Sequence, residues 1–441
     1  MREKTAGLIF ALQSLAYPIK ELAKNFFYAN YVAADCGGCM SFLVPLTRNL
    51  RPSALDDAMG AVGLAVLSNI HLHPTTGFQG RECYITALSQ TNHALRDPVN
   101  TKKDEVLAAV VLLAMYENVT CNDASSLDRW IRHLDGATRI IEIRGEKQLD
   151  TKEGLALFDF LRAQISTCML FQERYSPTII RRLTEVAKQR RPRGDRLVDC
   201  LSDAVTRLVD FVATLKRGPV LQTDAVVRQA MSLDAEFSSL LLDIPPLWTI
   251  ATVELPQPDG GRTAQALWGS YYHVYQSVAA SAMWNNYRSA RLLIHELVFN
   301  KTRDTLSVNG ACQSQPRVVM SQCQQTSAQL IDGILASVPF HFGAIGLDRL
   351  HSTEDKVALG CPMMLIWPLL VAANSGFASE SHRRWISSCL GRIGHTTGFN
   401  QALAMEKLLK EGSALRSYLP DSSFRRSDDN STVSAGFCKP D

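Results

Sequence analysis

The sequence predicts an all-α fold, a large multi-helix bundle or array. Three observations carry that expectation. Apolar residues recur at steps of three and four along most of the 441 positions, the spacing of one helix face. Strand-like alternation is scarce, and the Asn-Gly hairpin signal occurs only in isolation, at Asn309-Gly310. The composition, 46% apolar and 20% charged, is that of an ordinary packed protein. A chain this long buries a sizeable core without disulfides or metals. Wholesale disorder, a collagen-like chain and a small disulfide scaffold are therefore excluded.

Taken in order, the chain opens with Arg2 and Lys4 ahead of the apolar run GLIFALQSLAYP. A secretory signal would place a small-residue cleavage site next. Lys20, Glu21 and Lys24 follow at helical spacing instead, so the segment reads as an amphipathic helix in a reducing compartment. The 11 cysteines agree, being odd in number and, apart from one close pair, scattered through apolar helices as free thiols. The longest apolar stretches, near 105–115 and 361–373, fall short of the ~20 residues that cross a bilayer, so no membrane is expected.

Residues 103–119 (KDEVLAAVVLLAMYENV) are nearly continuous apolar and suit a buried helix. The next helix starts from capping-box spacing at Ser125 and Asp128. Trp130, Leu134, Ala137 and Ile141 form its apolar stripe, and Arg132, Asp135, Arg139 and Glu142 its polar face. Gly145 stands where a left-handed cap closes it. Helical patterns recur over 154–174, 197–216, 265–299 (one long helix or two), 318–337, 356–373, 383–394 and 399–411. Loops are expected at 73–80, 189–196, 254–263 and 300–317. Residues 418–441 are Ser-, Asp- and Arg-rich and read as a mobile polar tail.

No catalytic, cofactor-binding or metal-ligating residue is assigned. Cys36 and Cys39 form C-G-G-C, but two further zinc ligands at comparable spacing are lacking, and so is the βαβ context of a redox couple. Two ordinary thiols at a helix or turn boundary fit better. Asp56-Asp57 evokes the aspartate-rich helix that holds magnesium in all-α terpene cyclases, yet Gly60 stands where the third aspartate belongs. In the second motif, Asn122-Asp123 and Ser126 are followed by Trp130 in place of the acid. His295-Glu296 begins an H-E-x-x-H that fails at Phe299. His133 reads as a hydrogen-bonded packing histidine. Arg181, Arg182, Lys188, Arg190, Arg191 and Arg193 form the most basic cluster; a nuclear-import signal, a phosphate patch and a solvated helix end all remain open. A net charge of +3 gives no broad footprint for nucleic acid.

Several segments together resemble the regulatory (middle homology) region of fungal binuclear zinc-cluster transcription factors. They are SFLVPL with ALDDAMGAVGLAVLSNIHLHP, AAVVLLAMYENV, WIRHLDGATRIIEIRG at 130–145, AMWNNYRSARLLIHELV at 282–298, ILASVPFHFG at 334–343, MLIWPLLVAA at 364–373 and WISSCLGRIG at 385–394. Their order and spacing agree over roughly residues 8–411. The resemblance implies a nuclear transcriptional regulator built as a single helical regulatory domain, residues 1–417, ahead of the tail. It implies homodimerisation or association with a DNA-binding regulator, a small-molecule effector, and control of metabolic or secondary-metabolite genes. The family's six-cysteine cluster, which presents a helix to the major groove on two zinc ions, is not among these residues. No cofactor is therefore expected in this chain, zinc entering only with an upstream cluster, and DNA contact is expected through a partner or such a module. Two rivals from other classes stay open: an all-helical metabolic enzyme, which needs a polar convergent pocket, and an interaction protein that titrates a full-length relative.

Overall fold

In the computed structural model, which describes residues 18–32, 40–48, 51–122, 124–254, 267–309, 314–343 and 361–411, helix follows helix along nearly the whole chain. Helices make up 80% of the described residues, whose strands form a single two-stranded hairpin. The all-α expectation holds. The C-G-G-C pair and the tail 418–441 lie outside the described residues.

The first layer packs α1 (Ile19–Phe27), α2 (Leu43–Thr47), α3 (Ala54–His71), α4 (Pro74–Ala94), α5 (Asp104–Val119) and α6 (Ala124–Arg144). Ser53 starts α3 by accepting a hydrogen bond from the Asp56 N–H at 3.3 Å. α3 lies between α1, α4 and α5, and small residues let them approach. A Cβ on Gly63 would stand 2.3 Å from the Ala23 carbonyl oxygen of α1. A Cβ on Gly80 would press on Leu64 and the Ala61 carbonyl at 3.2 and 3.3 Å. The stretch 73–80, expected as a loop, is therefore the start of α4, opened by Pro74 in its first turn. Its glycines serve close packing rather than a turn.

Thirteen of the sixteen residues of α5 are buried, as its unbroken apolar run predicts. In α6, Trp130, Leu134, Ala137 and Ile141 are all buried while Arg132, Arg139 and Glu142 are exposed. Gly145 follows with φ +54°, the left-handed cap read from the sequence. The side chain of Ser125 lies outside the described residues.

The middle of the chain forms α7 (Lys152–Phe171), α8 (Thr178–Arg190), α9 (Leu197–Arg217) and α10 (Thr223–Ser239). By length and composition alone α7 could cross a membrane, which the apolar stretches named above did not suggest. Here it is a core helix, with Leu157, Phe158, Leu161, Ile165 and Met169 buried. Two strands follow, β1 (Ile250–Glu254) and β2 (Tyr271–Tyr275), antiparallel with Ile250 opposite Tyr275 and Glu254 opposite Tyr271. The expected helix over 265–299 is corrected accordingly. Residues 271–275 are strand, and α11 runs from Val278 to Asn309, the last ten residues of which were expected as loop.

α12 (Ser314–His341) packs along α11 and β2 and carries Pro339 within its last turn, so the helix runs through Ser-Val-Pro-Phe. α13 (Ile366–Asn374), α14 (Glu380–Thr397) and α15 (Asn400–Lys410) complete the chain. α14 opens on a capping box between Ser379 and His382. The last two helices return to the first layer. The Tyr31 hydroxyl donates to the Thr397 carbonyl at 2.9 Å, and the Asn69 amide donates to the Val119 and Gly398 carbonyls at 2.8 Å each. Buried apolar side chains then form one continuous cluster from Phe27 to Met405.

Candidate functional site

The helices leave a cavity of about 380 Å³ along the seam between the two halves of the chain. α5, α6, α7, α9, α11, α13 and α15 all contribute to its wall. Six methionines line it, Met40, Met115, Met283, Met363, Met364 and Met405, with the rings of Trp130, Phe160, Phe171, Trp248, Trp367 and Phe399. Thioether side chains are flexible and polarisable, so such a wall adapts to apolar shapes. The volume falls in the range of small-molecule sites. None of these residues was singled out as a binding residue from the sequence.

Polar groups on the wall are few, and three of them have no hydrogen-bond partner among the described residues. They are the indole Nε1 of Trp130, the indole Nε1 of Trp248 and the hydroxyl of Ser289. Trp130 is 5% and Ser289 2% exposed. Trp248 is fixed at its main chain, where its carbonyl accepts from the Trp284 indole at 2.7 Å. The charged side chains on the wall are Asp159 and Arg162, and they pair with each other at 2.8 Å.

That pair belongs to a buried network joining α7, α8 and α9. Arg162 also meets Asp199 at 2.8 Å, and Arg191 meets both Asp199, at 2.8 Å, and Asp159. Burial holds the Asp199 carboxyl above its ordinary value despite the two arginines.

The basic cluster of α8 is absorbed in the same way. Arg181 pairs with Asp210 at 2.7 Å, Arg182 with Glu146 at 2.6 Å and Arg190 with Asp150 at 3.0 Å. With Arg191 half-buried and ion-paired in the network, the segment is a largely charge-balanced helix and helix end, which disfavours a phosphate patch.

The other sequence candidates resolve into structural contacts. Asp56 and Asp57, the would-be magnesium ligands, are taken by lysines of α1. Lys20 reaches Asp56 at 2.9 Å and Asp57 at 2.5 Å, and Lys24 reaches Asp56 at 2.5 Å. Burial pushes the Asp56 carboxyl up, but hydrogen bonds from Lys24 and Lys20 outweigh it and hold it below its ordinary value. His295 lies 3.2 Å from Asp234, and Glu296 accepts from the Gly376 N–H at 2.9 Å. Both side chains are thus engaged in contacts between helices and loops of the fold.

His133 is the hydrogen-bonded packing histidine expected. Its Nε2 lies 3.1 Å from the Tyr84 hydroxyl, which donates to the buried Glu117 at 2.6 Å. Arg129 completes that carboxylate at 2.6 Å, and burial holds the imidazole below its ordinary value. Among the described residues no group of three His, Cys, Asp or Glu side chains converges as metal ligands would.

One pair escaped the sequence reading. Ser281 and His341, 60 positions apart, meet at 2.8 Å. His341 Nδ1 sits 2.8 Å from the Cys361 carbonyl, which can only accept, so Nδ1 carries the proton and Nε2 accepts from the Ser281 hydroxyl. Burial holds the ring at about 4, hence neutral. With Ser281 0% and His341 1% exposed, no substrate reaches this dyad, and a carbonyl stands where a triad places its acid.

The helices around Glu117 and the Arg162 network correspond to a known module. Residues 58–196 match the family model of the fungal specific transcription factor domain. The match spans most of α3 through α8, including the 130–145 stretch and the basic cluster, and begins just after the aspartates that meet Lys20 and Lys24. The motifs in α11 to α14 lie beyond the matched residues. The uncharacterized protein AN5342 of Emericella nidulans is 31% identical over 120 residues, 27% of this chain and 25% of that relative. The aligned part is thus about a quarter of that relative's length. No solved structure matches the chain.

Proposed function

We propose that the chain is a nuclear transcriptional regulator of the fungal zinc-cluster class, acting through residues 1–417 as its regulatory domain. The observation that carries this reading is the match of residues 58–196 to the fungal specific transcription factor domain. The architecture supports it. One continuous core links the matched helices to the second half of the chain, the packing through which a regulatory change would have to pass. Its targets are metabolic or secondary-metabolite genes, as the resemblance to the fungal zinc-cluster family implies.

DNA is reached through a DNA-binding partner, by hetero-association or homodimerisation, or through a zinc-cluster module outside these 441 residues. The 441 residues hold no six-cysteine array, and the most basic cluster is largely ion-paired. The enzyme reading loses support because the cavity wall is apolar, its charged pair is self-neutralised, and the Ser281–His341 dyad is sealed.

The test tethers residues 1–441 to a heterologous DNA-binding domain beside a reporter gene in a fungal host, with a fluorescent tag to locate the chain. Nuclear accumulation and a reporter change that Leu134→Asp in α6 abolishes are the expected results. Cytoplasmic retention with an unaltered reporter overturns the reading.

A further inference from the structure

We infer that the central cavity is the effector site, and that it takes an uncharged, largely apolar small molecule carrying acceptor oxygens such as a ketone, ester or lactone. This names the ligand class for the regulator proposed above and rests on that reading for its biological role. The binding itself is a property of the purified chain.

Three features of the wall converge on this class. The first is shape and polarity. Space of about 380 Å³, walled by methionines and aromatic rings, favours an apolar body and tolerates variation in its outline.

The second is the set of orphan donors. An indole N–H only donates, so Trp130 and Trp248 ask for an acceptor that no described side chain supplies. Ser289, a third polar group without a partner, stands on the same wall. Leaving such groups unmade inside a protein is unfavourable, and a bound carbonyl or ester oxygen relieves it. An alkane fills the space but leaves the donors bare.

The third is charge. The cation on the wall, Arg162, is held by Asp159 and Asp199, both at 2.8 Å. A carboxylate ligand would enter a desolvated space with no free cation to meet it, and a cationic ligand would find its anion already taken. The wall therefore selects against both signs.

Binding is measured on the purified chain by displacement of Nile red and by quenching of tryptophan fluorescence. The competitors are a matched series, undecane, 2-undecanone and undecanoate. The ketone should bind about 2- to 12-fold tighter than the alkane for each donor it engages, and undecanoate should bind weakest.

Trp130→Phe keeps an aromatic ring on the wall but removes the N–H together with the pyrrole ring that carries it. It should cut the ketone's advantage over undecane by the share of that one donor, about 2- to 12-fold. Ala290→Trp should fill the space and abolish binding of all three, with helical circular dichroism retained. Should that variant fail to fold, Ser289→Leu makes the same test with less added volume.

Equal affinity for ketone and alkane in the unmodified chain overturns the inference, because the orphan donors then do no more than bind water. So does tightest binding of undecanoate, or full binding by a folded cavity-filled variant. A chain that binds the ketone as expected yet leaves the tethered reporter silent under all conditions keeps the ligand inference and removes the regulatory one.

Discussion

Arg162 and Asp199, 2% and 0% exposed, hold each other at 2.8 Å in the seam between α7 and α9. Burial keeps the Asp199 carboxyl above its ordinary value, so desolvation outweighs what the arginines return. Such a pair fixes an arrangement more than it adds net stability. Arg162→Ala alone should therefore destabilise the fold by up to about 3–5 kcal/mol, since it halves the compensation of a fully buried carboxylate and leaves Asp199 to Arg191. The double replacement Arg162→Met with Asp199→Leu leaves Arg191 and Asp159 to pair with each other, and should recover most of that loss. Urea unfolding of the single and double variants checks the sign. A double variant no better than the single one would mean the pair is a net stabiliser.

Asp234 ties α10 to α11 through two Arg291 contacts at 2.6 and 2.8 Å and through His295 at 3.2 Å. Burial pushes its carboxyl up, but the hydrogen bonds from His295 and Arg291 prevail and bring it to about 2. Its folded value thus lies below the unfolded one. The contribution, about 2 kcal/mol, is fully present above about pH 4 and is lost as pH falls toward 2. Asp234→Asn should be less stable than the unmodified chain at pH 7, and the gap should close across that acid window. Thermal melts at a series of pH values read it directly; a gap that stays constant down to pH 2 contradicts the assignment.

Much of the fold is legible in the sequence where local pattern and final packing coincide. α6 is the clearest instance, with its stripe buried and Gly145 left-handed as its position demands. Legibility fails where a residue's reason lies far away in the chain. Gly77 and Gly80 look like turn residues, yet they sit in α4 because α3 passes close by. The strand YYHVY at 271–275 pairs with IATVE at 250–254 across a connection far longer than the two-residue loop that Asp259-Gly260 would signal. The α8 arginines look like a free basic patch because their acids stand 29 to 40 positions away. The cavity is the extreme case. Its methionines run from Met40 to Met405 and share no local pattern, so only the closed fold brings them together.

Two glycines make opposite predictions from the same substitution. At Gly63 a Cβ would stand 2.3 Å from the Ala23 carbonyl oxygen and 2.7 Å from its carbon. Backbone cannot yield there without moving α1, so Gly63→Ala should cost more than about 2 kcal/mol, in the range of core overpacking. It should also loosen the Lys20 and Lys24 contacts to Asp56. At Gly136, inside α6, a Cβ meets nothing within 4 Å. Gly136→Ala should stabilise the chain by about 0.5–1 kcal/mol through helix propensity alone. Parallel urea melts that gave both variants the same sign would refute the close approach of α1 to α3.

The sealed Ser281–His341 dyad offers the sharpest test between control and catalysis. The His341 ring is held at about 4 by burial, below its unfolded value. The unfolded chain therefore binds a proton that the folded one refuses between about pH 6.5 and 4. Stability from this site is complete above that window and falls as pH drops through it. Ser281→Ala removes the hydroxyl that His341 accepts, and should cost about 1 kcal/mol in stability. It should leave the tethered reporter's response intact at temperatures where the variant is folded. A dyad that performed chemistry would behave otherwise: Ser281→Ala would abolish labelling by an active-site-directed fluorophosphonate in the native chain. The geometry leads to the expectation that the native chain takes up no label at Ser281, because Ser281 of α11 and His341 of α12 are both closed off from solvent.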